Sequence, residues 1–156
     1  MSGELTHSYS IFIRATPEQV WEALTASEFT TQYFPFGRVK SDWQPGSTYT
    51  MTRADGPVMY EGDVLESDPP RRLAQSVTFR TPVEFAGHKE LRISWDIEQL
   101  GEACRLTISH VGSQADAKLF DVLTGSCPDL MSGLKTLLET GTALRIEQPV
   151  ASAASA

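Results

Sequence analysis

His110 is the side chain in this sequence with the widest chemical reach. It continues the alternation Cys104, Leu106, Ile108, so it is expected to point at whatever covers that face. A half-buried imidazole near its ordinary pKa can serve as acid, base or ligand anchor; the alternative is a structural histidine satisfied by backbone. It is the best candidate for a catalytic residue, and no other is assigned. Tyr49, Met51 and Arg53 share one face of a strand-like run, and Tyr60 and Val64 share a face of the next. Turned inwards, Arg53 and Tyr60 would bind an acidic or hydroxylated ligand; turned outwards, Arg53 snorkels to solvent beside Asp55. Glu61 and Asp63 could do acid–base work or hold a hard cation, but their alternation with Tyr60, Gly62 and Val64 is the pattern of a solvated sheet face. Trp95 offers either a stacking surface or a core aromatic. Trp21, Trp43, Phe34 and Phe36 could line a mouth or simply pack. Cys127 reads as a buried, inert thiol.

Several chemistries have no counterpart here. The sequence has no phosphate-binding glycine loop, no Gly-x-Ser-x-Gly and no His-Glu-x-x-His. His7, His88 and His110 show no metal-ligand spacing, so no metal and no cofactor is expected. A net charge of −7 and a pI near 4.9 argue against nucleic acid and anionic membrane surfaces as partners. Cys104 and Cys127 form no CxxC motif, no export signal precedes the first strand, and no apolar run is long enough to span a bilayer. A cytoplasmic protein follows as the expectation.

These residues sit on elements that the pattern makes legible. Tyr9, Ile11 and Ile13 alternate in a strand starting at His7, with Phe12 implying cover on both faces. Thr16-Pro17-Glu18-Gln19 opens a helix whose apolar face is Val20, Trp21 and Leu24. Ser27 caps a second short helix holding Phe29, Tyr33 and Phe34, which ends before Pro35. Turn signals at Pro45-Gly46, Asp55-Gly56-Pro57, Asp68-Pro69-Pro70 and Leu100-Gly101-Glu102 then separate strand-like runs at 38–43, 47–53, 58–67, 73–80, 89–99 and 103–111. Leu91, Ile93, Trp95 and Ile97 alternate against Glu90, Arg92, Ser94, Asp96 and Glu98, the mark of an antiparallel sheet with one wet face.

From Ser113 to about Arg145 the apolar period becomes helical: Leu123, Cys127, Leu130, Leu134, Leu137, Gly141 and Leu144, widened by Met131 and Leu138. Gly125, Ser126 and Pro128 predict a kink or break. The order predicts one α+β domain over 7–147, with a curved antiparallel sheet of about seven strands and the long C-terminal helix on its concave face. Residues 1–6 are expected to be a flexible N-terminus and 148–156 a disordered tail.

Three stretches carry a family resemblance over about Tyr9 to Leu144: Ile13 to Thr25, Tyr60 to Leu73, and Leu134 to Gly141. They resemble the START-like, birch-pollen-allergen-like helix-grip superfamily (SRPBCC), and within it the activator of heat-shock-protein ATPase homologue type. The resemblance implies the helix-grip fold and a ligand held between the sheet and the last helix; members bind lipids, steroids and polyketides or act as cyclases. The expected partner is a small apolar or amphipathic molecule, lipid-like or aromatic, contacted by Tyr49, Met51, Arg53, Tyr60, Trp95, Ile108, His110, Cys127, Met131 and Leu134. A cavity-based cyclase, hydrolase or isomerase using His110, and a co-chaperone or protein-interaction module, stay open as alternatives, as does a homodimer. Members often carry Gly-Trp-Pro where this chain has Ser126-Cys127-Pro128, which would reshape that end of the cavity. The namesake co-chaperone activity depends on a further N-terminal domain, so the resemblance by itself does not imply the chaperone partner.

Overall fold

The computed structural model describes residues 3–33, 37–53, 56–80, 91–144 and 146. The first strand, β1 (Glu4–Ile13), begins earlier than the pattern predicts. Glu4 and Leu5 pair with Ser113 and Gly112, so the stretch expected to be a flexible N-terminus belongs to the sheet from Glu4 onwards. Phe12 is 56% exposed, which leaves the outer face of β1 uncovered, contrary to expectation.

α1 (Pro17–Thr25) starts as its sequence dictates. The Gln19 N–H donates to Thr16 Oγ1 at 3.1 Å, and the Thr16 N–H donates to Gln19 Oε1 at 2.8 Å, with Pro17 in the first turn. Its buried face is Val20, Ala23 and Leu24, while Trp21 is only partly covered. α2 (Ser27–Tyr33) follows almost without a link. Two side chains close the C-terminal end of α1: the Tyr33 hydroxyl donates to Ala23 O at 2.6 Å and Trp43 Nε1 donates to Thr25 O at 3.0 Å. Phe34, Pro35 and Phe36 lie outside the described residues.

The remaining strands are β2 (Arg38–Ser41), β3 (Thr48–Thr52), β4 (Val58–Asp68), β5 (Arg72–Phe79), β6 (Leu91–Leu100) and β7 (Ala103–Ser113). With β1 they form one antiparallel seven-stranded sheet in the order β1-β7-β6-β5-β4-β3-β2. β1 and β2 are the edges, so α1 and α2 link one edge of the sheet to the other. Register shifts at Met51/Thr52 and between Val64 and Glu66 mark bulges, which add local twist.

A 3₁₀ turn (Gln114–Asp116) leads into α3 (Ala117–Gly125) and α4 (Cys127–Thr140). The break falls at Ser126, where the sequence placed it: the Ser126 Oγ donates to Leu123 O at 2.8 Å, and Pro128 sits in the first turn of α4. The helix ends earlier than the expected Arg145. Gly141 takes φ 89° and its N–H donates to Leu137 O at 2.8 Å, a left-handed cap that a glycine adopts without strain. Leu144, expected on the helical stripe, is therefore off the helix and 48% exposed. α4 is tied to the end of β1 by Lys135 Nζ donating to Phe12 O at 2.6 Å and the Arg14 N–H donating to Glu139 Oε2 at 2.8 Å. The result is the α+β helix-grip architecture, with the C-terminal helix on the concave face.

Two buried clusters share that concave face. One joins Val20, Leu24, Trp95, Ile97, Leu106, Met131, Leu134 and Leu137 beneath α4. The other joins Val39, Tyr49, Met51, Met59, Tyr60, Val77, Phe79, Leu119 and Phe120 beneath α3. α3 sits close to β7 because residue 112 is glycine: a Cβ there would stand 2.8 Å from the Phe120 ring.

Candidate functional site

A cavity of about 450 Å³ lies between the α3–α4 junction and strands β2 to β7. Its wall on the sheet side is an aromatic row. Trp43 stacks on Tyr49 with ring centroids 6.3 Å apart, Tyr49 meets Tyr60 edge-on at 6.1 Å, and Tyr60 meets Phe79 at 5.1 Å. Trp43 holds a left-handed backbone, φ 57°, which costs a bulky residue energy and is kept by its surroundings. The Trp43 N–H donates to Ser41 Oγ at 3.0 Å, and its indole is held by Thr25 O. Val122, Leu144 and Ile146 line the same cavity yet are exposed, so its rim is apolar where it meets solvent.

Polar groups in the wall are few. The Tyr49 hydroxyl donates to Ser76 O at 2.7 Å; a Cβ at Gly62, opposite Tyr49 in register, would collide with that carbonyl. Burial raises the Tyr49 and Tyr60 phenols above their ordinary pKa, so both are neutral donors. Gln75 is buried, and its Oε1 accepts from Trp95 Nε1 at 3.2 Å. Asp129 and Ser126 contribute from the helical side.

His110 faces this space and is 3% exposed. Burial, aided by His7, pushes its pKa down to about 4, so it is neutral at pH 7 rather than poised near neutrality as the sequence suggested. Its Nδ1 has no hydrogen-bond partner among the described residues, and Phe120 lies edge-on at 6.3 Å. His7 stands directly opposite on β1 with ring centroids 6.0 Å apart, and its Nδ1 is likewise buried without a partner. Cys127, the first residue of α4, completes a trio: one nitrogen from each ring and the sulfur lie within 4.8 Å of one another. Burial pushes the Cys127 thiol up to about 11.

The cavity brings together Tyr49, Met51, Tyr60, Trp95, Ile108, His110 and Cys127 from the residues singled out in the sequence. Of the expected ligand contacts it leaves out three. Arg53 lies beyond the bulge at Met51/Thr52, past the end of β3, and is exposed rather than turned inwards, with Nη1 4.0 Å from Met59 Sδ. Met131 and Leu134 are 0% exposed and packed in the cluster beneath α4. Glu61 is on the opposite face, ion-paired with Arg80, and Asp63 is exposed, so these carboxylates face water. Trp43 lines the cavity and Trp21 does not; Phe34 and Phe36 lie outside the described residues. The lining also includes Gln75, Val77 and Phe79, whose alternation with Ser76, Thr78 and Arg80 was visible in the sequence, and Leu119 of α3.

The sequence matches the family described as Activator of Hsp90 ATPase homolog 1-like protein over residues 14–139. No curated protein matches it. Among solved structures, protein MLL2253 from Mesorhizobium loti is similar with a TM-score of 0.73 at 17% identity, covering 86% of this chain and 97% of that one. DynU16, a putative protein in the dynemicin biosynthetic locus, gives a TM-score of 0.74 at 22% identity over 90% of this chain but only 49% of its own. The Aha1 dimer from Colwellia psychrerythraea, a solution structure, gives 0.67 at 21% identity over 88% and 98%. At these identities the likeness speaks for the fold. Among the described residues, no helix is long and apolar enough to cross a membrane.

Proposed function

This chain belongs to the Activator of Hsp90 ATPase homolog 1-like family, and from that premise we propose that it binds a small apolar or amphipathic molecule, lipid-like or aromatic, in the cavity under the α3–α4 junction. The observation that carries this reading is the aromatic row Trp43–Tyr49–Tyr60–Phe79, which flanks a space of about 450 Å³. That size and apolar lining suit a drug-sized guest. Burying about 200 Å² of its apolar surface would contribute roughly 5 kcal/mol before the costs of association. His110 and Gln75 supply polar contacts that fix its orientation.

An enzyme reading would ask His110 to act as acid or base. An imidazole whose pKa is pushed down to about 4, with no carboxylate partner among the described residues, is a weak base for that task, so binding is favoured. A cytoplasmic setting is part of the proposal, supported by two buried cysteines that are both free. A homodimer and a chaperone partner are open extensions, the first because the Colwellia psychrerythraea structure is a dimer.

Native mass spectrometry of freshly purified protein, followed by titration with medium-chain fatty acids and polycyclic aromatics, tests the proposal. Stoichiometric adducts that vanish in Val77→Trp, which fills the cavity, are the expected result. Adducts unchanged in that variant, or none with any ligand, would refute it.

A further inference from the structure

The sequence hides a spatial relation that the sheet creates. His7 and His110 are far apart in the chain but directly opposite in the β1–β7 register. Both side chains belong to the concave face, and the break at Ser126 sets Cys127 over them as α4 begins. The trio combines two imidazoles and one thiol, each from a different element. Two of its nitrogens, the Nδ1 atoms of His7 and His110, are buried without a hydrogen-bond partner among the described residues. A buried polar atom left unpaired costs on the order of 1–3 kcal/mol, so two adjacent ones need a reason.

We propose that His7, His110 and Cys127 form a site for a borderline first-row transition-metal cation, Zn²⁺ in the first place. Two imidazole nitrogens and a thiolate are the donor set such ions take, and hard cations such as Mg²⁺ or Ca²⁺ are not served by it. Three protein ligands leave a fourth tetrahedral position. Because His110 and Cys127 also line the cavity, that position faces the guest space, where an anionic or thiol group or a water could complete the ion. Loading the site releases one proton, that of the Cys127 thiol, to solvent; each histidine gives a lone pair. Zinc needs its donors about 3.5 Å apart, so the present 4.8 Å spread must contract by about 1 Å, within reach of side-chain torsions. The weak Cys127 Sγ to Leu123 O contact at 3.8 Å would be given up.

Titration of the chelator-treated full chain with Co²⁺, followed by displacement with Zn²⁺, tests this. One equivalent should produce a thiolate-to-cobalt charge-transfer band that zinc abolishes. Cys127→Ser should lose the band, and His7→Gln should weaken zinc binding at least about tenfold with its thermal midpoint unchanged, since His7 is only half-buried and on an edge strand. Cys104→Ser, which removes the other buried thiol, should keep the band. No band in the parent protein, a band that survives Cys127→Ser, or one that disappears with Cys104→Ser would overturn the proposal. The readout needs no cavity ligand, so it succeeds or fails independently of the small-molecule reading.

Discussion

The two ends of the concave face use the same sheet and the same kinds of side chain to opposite effect. Beneath α4, Met131, Leu134 and Leu137 drop between β1, β6, β7 and α1, and the space is filled. Beneath α3 and the break at Ser126, the row from Trp43 to Phe79 faces a hollow. The difference lies in the helical cover. α4 runs without interruption from its proline-marked start to Gly141 and is pinned at its far end by Lys135 and Glu139, whereas α3 is short and held against β7 through Gly112 and Phe120. Continuous, anchored cover allows side chains to interdigitate; a short helix before a break leaves room.

Matched truncations should expose the contrast most strongly. Leu134→Ala at the filled end should cost about 4 kcal/mol in urea denaturation, and Leu119→Ala, whose side chain already borders free volume, about 2.5 kcal/mol. Equal losses would mean that the two ends are packed alike. Enlarging side chains should invert the order. Val20→Phe is expected to destabilise by about 1–3 kcal/mol, while Val77→Phe, which projects into the cavity, should stay within about 1 kcal/mol of the parent. The smallest effect concerns the pin on α4. The Glu139 carboxyl is held below its ordinary pKa by Lys135 and by the Arg14 N–H. The unfolded chain therefore takes up its proton first as the pH falls. The stabilisation is whole above the ordinary carboxylate pKa and disappears as the pH drops through the lowered folded value. Glu139→Gln should flatten that acid limb by no more than about 1 kcal/mol, since the pair is solvent-screened, and high salt should mimic the substitution.

Much of the filled end was legible because its signals are local. The capping box at Thr16–Gln19 and the helical stripe through Leu134 and Leu137 each specify an element without reference to distant chain. The hollow end was harder. Arg53 leaves the row begun by Tyr49 and Met51 because β3 ends at Thr52 and Arg53 enters the turn, its N–H donating to Pro57 O at 2.8 Å; the Asp55-Gly56-Pro57 signal marks that turn in the sequence, but not which way Arg53 faces. Gln75, Val77 and Phe79 did announce an inward face by their alternation, but which inward residues border empty space depends on where the cover stops. The His7–His110 pairing could not be read from spacing, since it follows from β1 closing onto β7 across the whole chain. The helix end at Gly141 was written in the sequence as a glycine; the apolar Leu144 beyond it suggested continuation, and the left-handed cap decided otherwise.

Methyl-group NMR during titration with a bound apolar ligand tests the central claim most directly. The account predicts shifts concentrated on Leu119, Ile93 and Ile108, which border the cavity, with Leu134, Leu137 and Ile97 unmoved. Shifts centred on Leu134 and its neighbours, or spread evenly over both ends, would contradict it.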